Sequence, residues 1–92
     1  MGYEGVYMEK EFVLKAEQGL HARPATNFVR FMSSLPFTVY LIYKDFVADA
    51  KSIMAIMSVG LAKDSVFRIK IESENHEHMK QIEQYLKENH LI

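Results

Sequence analysis

The chain has 92 residues, a formal net charge of −1, 25% charged residues and no cysteine. One domain of this length buries roughly 60–65% of its unfolded surface without covalent staples, and the lack of cysteine excludes disulfides, thiol chemistry and cysteine-based metal sites. The near-neutral balance without a long basic run speaks against direct nucleic-acid binding, and no apolar run approaches the length of a membrane span. Glu4 and Glu9 stand where a secretory signal would carry a basic leader, so a cytoplasmic protein without membrane contact is expected.

Taken in chain order, Phe12, Leu14 and Ala16 alternate with Glu11, Val13 and Lys15, the period of a half-buried strand. Glu17-Gln18-Gly19 then turns the chain into a helix. Pro24 suits its first turn, where the fixed φ fits and the missing N–H is not needed. Ala25, Phe28, Val29, Met32 and Leu35 follow at the spacing of one buried stripe, and the helix is expected to end near Ser33-Ser34, ahead of Pro36. Phe37 to Tyr43, rich in aromatic and β-branched residues, predicts a second strand. Lys44-Asp45 is the tight turn and Phe46 to Ala50 a third, shorter strand. Ser52 opens the next helix as its N-cap.

Lys63-Asp64-Ser65 turns into Val66 to Glu72, where Phe67, Ile69 and Ile71 alternate with Arg68, Lys70 and Glu72. A last helix starts near Ser73 to Asn75 and carries Met79, Ile82, Tyr85 and Leu86 on one stripe. The order βαββαβα predicts an α+β open-faced sandwich, a four-stranded antiparallel sheet with three helices on one face. Tyr40 and Phe46 are candidates for the uncovered face.

Two segments carry chemistry. In Gly19-Leu20-His21-Ala22-Arg23-Pro24-Ala25, one imidazole stands at the mouth of the first helix with an arginine two residues on. A helix start presents unpaired N–H groups and the positive end of the dipole, a natural anion site. Arg23 stands against that dipole, a placement that is mildly unfavourable unless an anion lies between them. A histidine beside such a cradle is what a nucleophile accepting a phosphoryl group needs; the plainer reading is a loop or capping histidine.

The helix after Ser52 is apolar nearly all round, whereas a surface helix should be apolar on one side. Ile56 and Val59 can face the sheet, which leaves Ile53, Met54 and Met57 pointing outward as a patch suited to docking several partners. His76, His78 and His90 lie among charged residues, and histidines two apart do not share a helix face. Solvated side chains are expected there, with no metal and no cofactor.

The run Ala50-Lys51-Ser52-Ile53-Met54-Ala55-Ile56-Met57-Ser58-Val59-Gly60-Leu61-Ala62-Lys63 resembles the second helix of HPr, the histidine-containing phosphocarrier of the bacterial sugar phosphotransferase system. Residues 19–25 resemble that family's phosphorylation loop. The Lys-Ser-Ile-Met wording is similar to the Gram-positive branch, where the serine is a second, regulatory phosphorylation site. The resemblance covers roughly Glu9 to Asn89 and makes 1–92 a single HPr-like domain with 1–8 as an N-terminal extension.

The resemblance implies a carrier protein, not an enzyme. His21 would take a phosphoryl group on Nδ1 from phosphoenolpyruvate-charged Enzyme I and pass it to the IIA domain of a sugar permease, with Arg23 stabilising the group. An HPr kinase/phosphorylase would modify Ser52, the product serving as corepressor for a catabolite-control transcription regulator. Ala22, Thr26, Ile53, Met54 and Met57 would form the partner-docking surface. A related branch, the Crh regulators, lacks the histidine, so with His21 present a purely regulatory role through Ser52 is the second reading. A small βαββαβ module binding RNA or a metabolite is the third, and it would need exposed aromatics in a basic surround.

The chain also departs from the family pattern. Gln18 replaces a shorter polar residue before the motif glycine. The hairpin Tyr43-Lys44-Asp45-Phe46 has no glycine, so its loop is expected to be longer or differently shaped, because a two-residue I′ turn without glycine is strained. Ala55 replaces a common glycine and should stiffen its helix by roughly 0.5–1 kcal/mol. Asp64 stands where relatives often have a helix-ending glycine, and aspartate tolerates the left-handed conformation only moderately.

Overall fold

The computed structural model describes residues 5–92. Its elements are β1 (Met8–Val13), α1 (Ala22–Ser33), β2 (Val39–Tyr43), β3 (Phe46–Asp49), α2 (Ile53–Val59), β4 (Val66–Ile71) and α3 (His76–Glu88). The strands make one antiparallel sheet in the order β1-β4-β2-β3, and the three helices cover one face, the expected open-faced sandwich. β4 is central, and its alternate residues Phe67, Ile69 and Ile71 are buried. Register places Phe12 opposite Phe67, and Leu41 and Val39 opposite Ile69 and Ile71. The helices close this layer with Ala25, Phe28 and Met32 from α1, Ile56 from α2, and Met79, Ile82 and Leu86 from α3.

β1 departs from the expected 11–16 alternation. It begins at Met8 and ends at Val13, so Leu14 and Ala16 lie beyond it, although Leu14 is still fully buried. The earlier start is masked in the pattern by Lys10, which occupies a position on the helix-covered face, opposite Ile69. On this edge strand the lysine spans the apolar surface, with its ammonium 5.8 Å from the Phe12 ring centre, and ends on Glu83 of α3. Hydrogen bonds from Lys10 and Lys87 hold the Glu83 carboxyl below the usual carboxylate range. Met8 of the expected extension is thus paired strand, opposite Ile71, while residues 1–4 of that extension lie outside the described residues.

Three other points bear on the expectations. The glycine-free hairpin is not longer but differently shaped: Tyr43 pairs with Phe46, leaving two turn residues, and Lys44 takes a left-handed φ of 54° while Asp45 does not, whereas a I′ turn needs both. Phe46 shares the helix-covered face with Ala48 and is 67% exposed at its rim, while Tyr40 lies on the open face beside Lys70. α2 is ended by Gly60 at φ 64°, while Asp64 takes a left-handed φ of 73° in the following turn.

The fold also fixes one loop tightly. Segment 14–20 runs along segment 61–65 through Leu14 N–H to the Ser65 carbonyl (2.9 Å), Asp64 N–H to the Leu14 carbonyl (2.7 Å) and Leu20 N–H to the Leu61 carbonyl (2.9 Å). Exposed ion pairs Lys63–Glu17 and Lys15–Asp64 flank these bonds. Gly19 makes the approach possible: its φ is 79°, and a β-carbon there would stand 2.5 Å from the Leu61 carbonyl oxygen. Gly60, also left-handed, has open space around its α-carbon. Gly19→Ala is therefore expected to destabilise the domain by about 1–3 kcal/mol, and by more than Gly60→Ala. Urea unfolding of the two variants checks this, and equal losses would show that the loop shifts away from Leu61 without penalty.

Candidate functional site

The chain reaches His21 from a fixed point. Gly19 N–H closes a turn on the Ala16 carbonyl (3.1 Å), and Leu20 is buried with its amide on Leu61. The next residue leaves the core. His21 is exposed, extended (φ −152°, ψ 174°) and sits at the N-cap of α1, where its side chain makes no capping hydrogen bond. Ser, Thr, Asp or Asn would fill that role with a side-chain oxygen.

The first turn of α1 contains no acidic residue, so the positive end of the helix is not offset. Pro24 brings no N–H, and the amides of Ala22 and Arg23 have no carbonyl one turn back. Ala22 makes the bend into the helix at φ 56°, a left-handed conformation that costs a non-glycine residue about 1–2 kcal/mol. Thr26, one turn on, donates its hydroxyl to the Ala22 carbonyl (3.2 Å). Arg23 and Gln18 are exposed.

Arg23 also forms a wall of a cleft of about 160 Å³ between the start of α1 and the end of α3, with Pro24, Asn27, Tyr85, Asn89 and Leu91. The Tyr85 ring stacks on Phe31 (4.2 Å between centres, 8°). Its hydroxyl is buried without a hydrogen-bond partner among the described residues, and burial pushes the phenol pKa up. Tyr85 belongs to the core stripe expected of α3, and nothing in the sequence connects it with Arg23. Only the topology brings those helix ends together; no local spacing signals it.

Ser52 is the N-cap of α2, as expected. Its hydroxyl oxygen accepts the Ala55 N–H (3.2 Å), and its own N–H bonds the Asp49 carbonyl (3.0 Å). Its neighbour Lys51 donates its ammonium to the Leu35 carbonyl (2.7 Å), tying the start of α2 to the chain just after α1. Along α2, Ile56 is buried and Val59 half-buried, while Ile53, Met54 and Met57 are 39%, 79% and 44% exposed. The helix thus has one face in the core and an apolar face outside. Its C-terminal end leads through Gly60 to Leu61, the residue that holds Leu20.

The remaining histidines do not converge on this site. His76 and His90 are exposed as expected, but His78 is half-buried, bonded through Nδ1 to the Ser73 hydroxyl (2.6 Å) and stacked on Phe37 (4.5 Å). The stacking partner, Phe37 just before β2, lies far away in sequence, which is why charged surroundings alone misjudged this ring. Among the described residues no three His, Asp or Glu side chains come together as a metal-binding group, and no helix is long and apolar enough to cross a membrane. What the loop at residues 19–25 offers is an exposed imidazole at an unneutralised helix start, with a guanidinium two residues away. Such an arrangement suits covalent transfer of an anionic group.

Known proteins share both the sequence pattern and the fold. A family model described as the phosphorylation site of the HPr component of the phosphotransferase system matches residues 8–88. The phosphocarrier protein HPr of Buchnera aphidicola (subspecies Schizaphis graminum) is 36% identical over 78 residues, covering 80% of this chain and 92% of that protein. Among solved structures, HPr-C-His from Thermoanaerobacter tengcongensis superposes with a TM-score of 0.76 at 32% identity, over 86% of this chain and 89% of that one. A phosphocarrier protein HPr from Bacillus anthracis superposes with a TM-score of 0.78 at 29% identity, over 86% and 95% of the two chains. With its histidine at an uncapped helix start and this match over nearly all of its length, the chain belongs to the HPr family, the phosphocarriers of the phosphotransferase system.

Proposed function

We propose that His21 is the residue through which this phosphocarrier works, accepting a phosphoryl group from phosphoenolpyruvate-charged Enzyme I and passing it to IIA domains of sugar permeases in the cytoplasm. The observation that carries this reading is the state of His21: exposed, at the N-cap of α1, and without a side-chain hydrogen bond that transfer would have to break. The ring nitrogen Nδ1 attacks phosphorus and forms the N–P bond as the bond from phosphorus to its carrier group on Enzyme I breaks, leaving that group on Enzyme I free. The phosphoryl oxygens then meet the amides of the first helical turn and the Arg23 guanidinium. The chain turns nothing over alone; it is a substrate of Enzyme I on one side and a donor on the other.

Ser52 is the second proposed site, modified by an HPr kinase/phosphorylase in carbon catabolite control, with a catabolite-control transcription regulator as the partner of the product. Its place at a helix N-cap supports this, because a phosphate of about −2 charge is tolerated at the positive end of a helix. The same charge would stand next to Ile53 and Met54 and make that face poorer at docking Enzyme I. A Crh-like protein acting mainly through Ser52 is the alternative; stoichiometric phosphorylation by Enzyme I and phosphoenolpyruvate separates the two. The docking surface is assigned to Ala22, Thr26, Ile53, Met54 and Met57, on the strength of the exposed apolar face of α2 and its link to the acceptor loop.

His21→Ala is expected to abolish acid-labile phosphorylation by Enzyme I while leaving urea unfolding unchanged, and phosphate uptake equal to the parent's would remove the acceptor assignment. Arg23→Ala should slow transfer about tenfold to a thousandfold, as loss of one oxyanion donor does. A rate within twofold of the parent would make Arg23 an ordinary surface residue.

Ser52→Ala should eliminate ATP-dependent, acid-stable phosphorylation by the kinase and spare the His21 reaction. Ser52→Asp should keep the cap and weaken transfer from Enzyme I. Acid-stable phosphate recovered on another residue of the Ala variant, by mass mapping, would contradict the site.

Met54→Glu and Met57→Glu should each cost less than about 1 kcal/mol of stability, typical of surface changes. They should slow transfer at least about tenfold if the face must be desolvated in each complex. Normal transfer would place docking elsewhere on the molecule.

A further inference from the structure

We propose that Met54 and Met57 form a reversible oxidation site, at which a peroxide turns two exposed thioethers into sulfoxides and thereby weakens docking of the phosphotransfer partners. The inference rests on the docking role given above to the outer face of α2. Without cysteine, the chain has no thiol to sense an oxidant, and its thioethers are its most easily oxidised groups. Access then decides which of them react. Met32 and Met79 are buried under the helices and Met8 is half-buried in β1. Met54 and Met57 are the exposed methionines among the described residues. They lie three apart in α2, so they are neighbours on one face with Ile53.

The chemistry is balanced by the peroxide. A sulfur lone pair attacks one peroxide oxygen and forms the S–O bond as the O–O bond breaks, and the departing hydroxide takes up a proton as water. Sulfur is oxidised by two electrons and the peroxide is reduced by two. The product is a polar, chiral group in place of a flexible apolar one. On α2 this leaves the interior intact, because the core contact belongs to Ile56 with Val59 packed against it. The outer face, in contrast, gains oxygen acceptors that a docking partner must strip of water without offering donors. The same surface thus carries an uncharged, reversible mark beside the serine that carries a charged one. Both sulfoxide epimers are substrates for methionine sulfoxide reductases, one enzyme for each, so the mark can be removed.

The test uses the full chain treated with graded hydrogen peroxide, peptide mass mapping, and the rate of phosphorylation by Enzyme I and phosphoenolpyruvate. Oxygen should be gained at Met54 and Met57 before Met32 and Met79. The rate should fall about tenfold, the scale of an unsatisfied polar group placed in a desolvated contact, with the melting transition within a few degrees of the untreated protein. Treatment with both reductases should restore the rate. A Met54→Leu/Met57→Leu double variant, compared with its own untreated rate, should lose its peroxide sensitivity. Sensitivity that persists in the double variant, or early oxidation of buried Met32 and Met79, would overturn the proposal. Sulfoxides at 54 and 57 with an unchanged rate would overturn it too. In that last case Met54→Glu distinguishes the causes: slow transfer by that variant leaves the docking face standing and removes only the oxidation site, while normal transfer removes both.

Discussion

The hydrogen bond from the Leu20 amide to the Leu61 carbonyl is the constraint on which the arrangement of this surface depends. It joins the chain entering α1 to the chain leaving α2 at a point where both side chains, Leu20 and Leu61, are buried. The two backbones meet this closely because Gly19 has no β-carbon to strike the Leu61 carbonyl. The flanking ion pairs Lys63–Glu17 and Lys15–Asp64 are exposed and add little. Burial of Leu14, Leu20 and Leu61 therefore holds the segment, and the three backbone bonds set its register. The buried, hydrogen-bonded segment ends at Leu20, and the next residue, His21, is exposed.

The starts of the three helices differ in a way that fits the proposed chemistry. α2 and α3 are capped by side chains: Ser52 accepts the Ala55 N–H, and Asn75 accepts the Glu77 N–H at 2.9 Å, with Glu77 itself an acid in the first turn. α1 has neither device. Its cap is a histidine that makes no bond, its first turn lacks acid, and its first residue, Ala22, is strained. Each omission lowers stability where a cap is typically worth about 1 kcal/mol. The fold accepts these losses because α1 is anchored by Ala25, Phe28 and Met32, all fully buried. Strain and unmet polar groups that persist in one place, with compensation from packing elsewhere, mark a functional site.

Where the sequence was legible, a local rule and the tertiary environment agreed. The α1 stripe, the β2 and β4 patterns and the Ser52 cap are of this kind, and so is the outward apolar face of α2. β1 was misread because Lys10 breaks the alternation, and nothing nearby in sequence announces Glu83 as its partner. Gly60 and Asp64, in the same stretch, both adopt left-handed φ, and it is Gly60 that closes α2. The site divides the same way. His21, Arg23 and Ser52 stand out as motif residues at helix starts. The Leu20–Leu61 bond, the strain at Ala22 and the cleft under Arg23 depend on long-range contacts that no periodicity encodes.

For the proposed relay, the half-built character of the site is its working property. A carrier has to take the phosphoryl group and then give it up, so a deep pocket that satisfied every oxygen would hold it too well. In that relay the loop at residues 19–25 would supply two amides, a dipole and one exposed guanidinium, and leave the outer side of the imidazole in water. Whatever further donors the transfer needs, and the exclusion of water around it, must come from the docked partner. Docking therefore has to be brief and shared among different proteins. In the proposed docking role α2 would meet both demands with seven residues: Ile56 is buried in the core, and the exposed side chains of Ile53, Met54 and Met57 would remain for contact. Extending that patch inward would expose Ile56, which is buried, and Val59, which packs against the core, so the face proposed for docking can grow no further without loosening the helix.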